Sequence, residues 1–351
     1  MLFDRNDSFV ISTHIRPDGD AVGCQLALGR YLEALGKNVT MISADAPAAN
    51  LDWMPGTERV QIYDGSISQR EAIAGADVIA IVDTNVQDRL GSLGEPIRHS
   101  SAVKLLIDHH PGGENWFDYR YVRESASSSG ELIFEIVRDR SVEMIDRDMA
   151  VTLYVAIMTD TGSFRYSNVS ATVHRVVADI IEQGDLDPEI IHQNLYDSRS
   201  MAGLRLLSAS LGTASLRYDG RLGYMVVTGR MLNETGADRD DTEGLVNFLL
   251  TVESVDAALL FFEVEAGTKI SFRSKRDVEV HEWAQSLGGG GHRKAAGAFL
   301  KLPLEQAMKK VISSASKYLD GPTADEGGSD GLSPEDKSYL SSLTELKQRE
   351  S

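Results

Sequence analysis

The run Val78-Ile79-Ala80-Ile81-Val82 offers no polar side chain to water on either face. A short, continuous apolar run of this kind is the mark of a strand buried on both sides. Phe9-Val10-Ile11-Ser12, Asn38-Val39-Thr40-Met41-Ile42 and Val103-Lys104-Leu105-Leu106-Ile107 read as further strands. Helical patterning follows over Ala21 to Leu32, from Ser127-Ser128-Ser129-Gly130 to about Arg138, over Arg147 to Met158, and over Ala171 to Gln183. Strand alternating with helix predicts an α/β chain with a doubly wound, mostly parallel sheet in its N-terminal part.

Chemistry sits where these elements end. The first strand runs into Thr13-His14-Ile15-Arg16-Pro17-Asp18-Gly19-Asp20, the third into Asp83-Thr84-Asn85, and the fourth into Asp108-His109-His110-Pro111-Gly112. The Arg147–Met158 helix ends on Thr159-Asp160-Thr161-Gly162. Taken alone, the first of these also reads as capping, with Asp20 a helix N-cap, Asp18 a turn residue and His14 a polar strand end. In a doubly wound sheet, however, the carboxyl ends of the strands share one crevice. Three apolar strands that each end on an acid or a histidine point to a shared ligand. Imidazole and carboxylate suit a divalent ion such as Mn²⁺ or Mg²⁺. These stretches hold enough ligands for two ions with one bridging carboxylate, the usual device for displacement at phosphorus.

Length and charge narrow the substrate. At 351 residues the chain predicts about two domains. Its net charge of −18 excludes a broad basic surface for long nucleic acid. Attraction to an anionic substrate must then be local, which favours a small phosphate-bearing molecule over a duplex. No apolar run approaches the roughly 20 residues of a membrane span, and the acidic Met1–Asp7 start has no signal-peptide pattern. The lone Cys24 reads as a buried small hydrophobe, and a cytoplasmic location is expected.

The domain reading is 1–184 for the first domain, 185–213 for a helical linker, 214–319 for a second domain and 320–351 for a flexible acidic tail. In the second domain, Leu216 to Val227 reads as a hairpin on Asp219-Gly220. A helix is predicted over Glu243 to Leu250, and a strand pair over Ala257–Val264 and Lys269–Ser274. Gly288-Gly289-Gly290-Gly291 then precedes His292, Arg293 and Lys294. Such a run is either a flexible turn or a row of exposed amides that cradle an anion. Trp53, Trp116 and Trp283 read as core or rim packing, with base stacking the alternative. His99, His174, His192 and His281 are expected to be surface or packing residues, and Ser127-Ser128-Ser129 a helix cap or a phosphate contact.

The ordered set His14-x-x-x-Asp18-x-Asp20, Asp83, Asp108-His109-His110 and Asp160 resembles the motifs of the DHH phosphoesterases. Ser271-Phe272-Arg273-Ser274 and Gly288–Arg293 resemble the associated DHHA1 domain, and the likeness to the nanoRNase/pAp phosphatase branch covers about Phe9 to Tyr318. That resemblance implies an N-terminal DHH domain and a smaller α/β DHHA1 domain. It implies two Mn²⁺ ions, with Mg²⁺ or Co²⁺ as alternatives: His14 and Asp18 on the first, Asp20, His109 and Asp160 on the second, and Asp83 bridging. His110 would face the substrate phosphate and Asp108 would orient a neighbouring histidine. Arg273, Gly288, Gly289, Gly290, Gly291 and His292 would hold the far end of the substrate. The implied activity is hydrolysis of short oligoribonucleotides and of 3′-phosphoadenosine 5′-phosphate (pAp) by metal-activated water, and a homodimer is plausible. The alternatives are a cyclic di-AMP or pApA phosphodiesterase, a pyrophosphatase, a RecJ-type exonuclease and a non-catalytic nucleotide-binding protein.

Overall fold

The structure is a computed structural model that describes residues 2–319. The segment 320–351, expected to be a flexible tail, lies outside the described residues. The chain divides into two compact units that meet between Ser198 and Arg199. That boundary falls inside the stretch read from sequence as a linker.

The first unit opens with a short helix α1 (Leu2–Arg5), then β1 (Ser8–Ser12), α2 (Gly19–Ala34), β2 (Asn38–Ser43) and β3 (Gln61–Ile62). It continues with α3 (Ile67–Gly75), β4 (Val78–Val82), α4 (Gly94–His99), β5 (Val103–Asp108) and β6 (Tyr119–Val122). Four helices close it: α5 (Ser129–Arg140), α6 (Arg147–Asp160), α7 (Ala171–Gly184) and α8 (Pro188–Tyr196). The sheet order is β3-β2-β1-β4-β5-β6, and every pairing is parallel. Alternate residues feed two cores. Phe9, Ile11, Val78, Ala80 and Val82 pack with Leu28, Leu132 and Leu153, while Val10, Ile79 and Ile81 pack with Ile73, Leu93 and Ile97 on the other face. Both faces are therefore covered, as the continuous apolar runs require. The order reverses between β1 and β4, and that is where a doubly wound sheet opens a crevice at its carboxyl edge.

The second unit carries α9 (Met201–Leu211), β7 (Ser215–Arg217), β8 (Leu222–Val227), α10 (Gly229–Thr235), β9 (Ala257–Val264) and β10 (Gly267–Ser274). Then come α11 (His281–Ser286), β11 (Gly290–His292), β12 (Ala295–Leu300), α12 (Leu304–Ser313) and the short α13 (Ser316–Leu319). Its sheet runs β11-β12-β10-β9-β8-β7 and is antiparallel except for the parallel β8–β9 pair. The expected hairpin is present, with Asp219 at φ +54 and Gly220 at φ +84. The stretch expected as a helix over Glu243 to Leu250 is instead 3-10 in its ordered part, Leu245–Thr251. The expected linker is divided: Ile191 and Leu195 of α8 join the first unit's core, and Leu206 of α9 joins the second's.

Candidate metal centre

The carboxyl ends of β1, β4 and β5 deliver the first side chains. His14 follows β1 by two residues and is buried, as are Asp83 after β4 and His109 after β5. Asp18, not Asp20, caps α2: its Oδ1 accepts from the amides of Asp20 and Ala21 at 3.1 Å each. Asp20 lies inside the first turn, and that releases its carboxylate to face the crevice. Asp160 is the last residue of α6.

These side chains converge in two overlapping groups. His14, Asp18 and Asp83 place ligand atoms within 4.8 Å of one another, and so do Asp20, His109 and Asp160. His14 Nε2 lies 3.4 Å from Asp83 Oδ2 and 4.0 Å from Asp18 Oδ1. His109 Nε2 lies 3.4 Å from Asp160, 3.7 Å from Asp83 Oδ1 and 3.9 Å from Asp20. Asp83 thus presents one oxygen to each group. A third grouping, Asp83 with His109 and His110, shares the same space.

The imidazole tautomers follow from their neighbours. His14 Nδ1 is 2.9 Å from the carbonyl of Ile15, and His109 Nδ1 is 3.2 Å from that of Ala126. A carbonyl only accepts, so each Nδ1 carries a proton and each Nε2 is the nitrogen that faces the carboxylates. His110 differs. Its Nδ1 binds Asp108 Oδ1 at 2.7 Å, and its own amide donates to the same oxygen.

The N-terminus of α5 supports the acids from behind. The amides of Ser129 and Gly130 donate to the two oxygens of Asp20 at 2.7 and 2.9 Å. Ser129 Oγ donates to Asp83 Oδ1 at 2.9 Å, while Ser128 is the helix cap. The serine run therefore serves carboxylates as well as capping the helix. Cys24, one turn beyond Asp20, is buried with its thiol 3.3 Å from Asp20 Oδ1.

Electrostatics in the metal-free centre are unfavourable. Burial, then repulsion from Asp83, Asp160 and Asp18, pushes Asp20 well above the usual carboxylate range. Burial raises Asp160 to about 7 against the pull of His109, with Asp83 and Asp18 adding to the rise. Burial works to raise Asp83 too, but His14 close against it and the charges of His110 and His109 hold it well below the usual range. His110 rises to about 9: burial opposes this, and the Asp108 hydrogen bond with the charges of Asp83 and Asp108 outweighs it. Four carboxylates, Asp18, Asp20, Asp83 and Asp160, would balance the charge of two dications. The buried His14 Nε2 faces Asp83 and Asp18, a ring nitrogen placed among carboxylates as a cation ligand would be. The donor set fits a divalent metal.

The residues expected to grip the substrate lie in the second unit. Arg273 on β10 stands opposite Ala295 of β12, which stands opposite His292 of β11, so the three share one row across the sheet. The glycine run is not an open row of amides. Gly288 and Gly289 donate to the carbonyls of Gln285 and Ala284 and so close α11, and Gly290 begins β11. Arg293 is ion-paired with Glu279, and Lys294 donates to the carbonyls of Arg276 and Val278. Trp283 is fully buried, stacked at 5.3 Å on Tyr318, and donates to Ser314. It is core.

Comparison with known proteins places this site in a family. The DHH family N-terminal domain matches residues 8–157, and the DHHA1 domain matches residues 221–320. The chain belongs to the DHH phosphoesterases, a metal-dependent class of hydrolase. The bifunctional oligoribonuclease and PAP phosphatase NrnA of Thermus thermophilus is 31% identical over 88% of this chain and 89% of its own length. That of Bacillus subtilis is 27% identical over 83% of this chain and 89% of its own. Among solved structures, an exopolyphosphatase-related protein from Bacteroides fragilis superposes with a TM-score of 0.85 at 29% identity, over 91% of this chain and 94% of that one. RecJ of Thermus thermophilus, at 13% identity and a TM-score of 0.52, shares the fold over 54% of its length.

Proposed function

We propose that this chain is a cytoplasmic phosphoesterase that uses two Mn²⁺ ions to hydrolyse short oligoribonucleotides and to remove phosphate from pAp. The observation that carries the reading is the pair of ligand groups that meet at Asp83. His14 and Asp18 would hold one ion, Asp20, His109 and Asp160 the other, and Asp83 both. The ions, when bound, would neutralise the phosphate and activate water for in-line displacement.

The protein's own groups do the rest. Ser129 and the α5 amides hold Asp83 and Asp20 in place. With Nδ1 committed to Asp108, the protonated ring of His110 would offer its Nε2–H to a phosphate or leaving-group oxygen. Asp108 fixes that ring and keeps its proton. Arg273 and the Gly288–His292 segment would bind the remainder of the nucleotide, through the row that Arg273 shares with His292. With two of the glycine amides used internally, the grip would rest on Arg273 and on the close approach that Gly290 and Gly291 permit. A small substrate suits the acidic chain, and the names of the relatives support an oligoribonucleotide and pAp. A homodimer belongs to the same proposal.

The test is turnover with added Mn²⁺ on pAp, a diribonucleotide, a five-residue RNA, pApA, cyclic di-AMP and pyrophosphate. The dinucleotide and pAp should be the best substrates. Asp83→Ala should fold, lose bound metal by elemental analysis, and lose turnover. Native turnover by that variant refutes the dinuclear centre, and activity on pyrophosphate alone refutes the nucleotide reading.

A further inference from the structure

Resting on that reading, we propose that Arg89 is a phosphate-gripping residue of the centre, a cation that closes on the scissile phosphate beside His110. Arg89 lies on the 3-10 segment Gln87–Leu93, six residues beyond Asp83. Its carbonyl accepts the Ile15 amide at 2.7 Å, so its backbone is fastened to the loop that carries His14. Gly91 tightens this join. It sits at φ +56, and a Cβ there would lie 2.5 Å from Ile15 Cγ2 and 3.3 Å from Ala44 Cβ. The arginine is thus mounted on a braced loop between two strand ends that supply metal ligands.

Its side chain has no evident structural employment. Arg89 is half-buried, and among the described residues its guanidinium makes no ion pair and no hydrogen bond. This is notable in a chain with 53 acids and 35 Lys and Arg, where Arg30, Arg59, Arg123 and Arg140 are each paired with a carboxylate. The Arg89 guanidinium is also within electrostatic reach of the His110 ring. A half-buried, unpaired guanidinium needs an anion, and its planar fork matches two oxygens of one phosphate. With two dications in place the carboxylates are neutralised, and the anion left to meet Arg89 is the substrate. Motif reading passed over this residue because a single arginine in an irregular segment has no periodicity to mark it.

The experiment compares the Mn²⁺-loaded full chain with Arg89→Ala and Arg89→Lys, with pAp as substrate and inorganic phosphate as competing ligand. Arg89→Ala should lower kcat/KM about 100-fold, in the range set by removing one charge-stabilising donor. Inhibition by phosphate should weaken roughly tenfold, as loss of a charge-assisted contact requires. Bound metal should stay at the parental content, millimolar guanidinium should restore part of the lost rate, and Arg89→Lys should fall between the two. A kcat/KM within a factor of about three of the parent, roughly 0.6 kcal/mol, overturns the proposal. So does an unchanged phosphate inhibition constant, or loss of metal from both variants. If the parent itself turns over no phosphoester, the phosphoesterase reading has failed, an outcome distinct from an active parent that Arg89→Ala leaves intact.

Discussion

Removing the metal should turn the centre into a source of instability that grows with pH, and Asp160→Asn should relieve it. In the metal-free fold Asp160 titrates at about 7, against 3.8 for an ordinary aspartate. Between those values the folded state binds a proton that the unfolded chain has released. Stability from this group is full below 3.8 and is lost as pH rises through 7. The difference of about 3 pKa units corresponds to a ceiling of about 4 kcal/mol. His110 acts in the same direction, because its folded value of about 9 exceeds 6.5, so its contribution fades as pH rises from 6.5 through 9. Asp20, raised by burial and by its acidic neighbours, also loses stability on the alkaline side. Asp83 is depressed, and its contribution disappears only as pH falls through its low folded value, outside this window.

The assay is thermal unfolding of chelator-treated protein from pH 5 to pH 8, beside the Mn²⁺-loaded form. For a unit of this size 1 kcal/mol corresponds to roughly 2–4 °C, so Asp160 alone can lower the melting temperature by up to about 10 °C across the range. Asp160→Asn should melt higher than the parent at pH 8 without metal, show a shallower slope, and gain little from Mn²⁺. Saturating Mn²⁺ should reverse the parental slope, since ligands must be deprotonated to bind. A metal-free melting temperature that is flat or rises between pH 5 and pH 8, or an Asp160→Asn slope equal to the parent's, refutes the reasoning.

Two further substitutions test the supports. Ser129→Ala removes the hydroxyl from Asp83 Oδ1 and should weaken metal affinity 10–100-fold, the usual cost of losing a group that orients a ligand; calorimetric Mn²⁺ titration checks it, and parental affinity would show that the hydroxyl is dispensable. Gly289→Ala would put a Cβ 2.1 Å from the Gly297 carbonyl and should destabilise the second unit by roughly 1–3 kcal/mol, whereas Gly290→Ala meets nothing within 4 Å and should be nearly neutral. Denaturant midpoints that are equal for the two variants would remove the strand role assigned to the glycine run.

Legibility followed burial. β1, β2, β4 and β5 announce themselves because central parallel strands must be apolar on both faces. The edge strands do not: β3 is two exposed residues, and β6 is the exposed Tyr119-Arg120-Tyr121 followed by Val122. Neither carries a pattern that a loop would lack. The acids and histidines of the centre were visible because they interrupt apolar runs at their carboxyl ends. Their supports were not. The Ser129 and Gly130 amides and the Ala126 carbonyl are backbone groups, which any residue supplies, and only the convergence of α5 on α2 shows what they hold. The glycine run misled for a related reason. Glycine fits an anion cradle and a crowded edge strand equally well, and the choice was made by the end of α11, which takes two of the amides.

The centre also explains why stability and chemistry oppose each other here. Asp83 holds a left-handed backbone at φ +60, a conformation costly for a non-glycine residue. It is flanked by three more carboxylates, and burial raises two of them. His14 buries a ring nitrogen against two of these carboxylates. Each feature works against the fold without cations, and each would become favourable with cations bound: the repulsion would be neutralised, His14 Nε2 would be a ligand, and the turn at Asp83 would aim one oxygen to either side. Substitutions that relax the empty centre should therefore stabilise the protein and disable it together, whereas those at Ser129 or Arg89 should impair metal binding or phosphate binding without that gain. The two kinds of residue are separable by melting temperature alone, with no substrate in the assay.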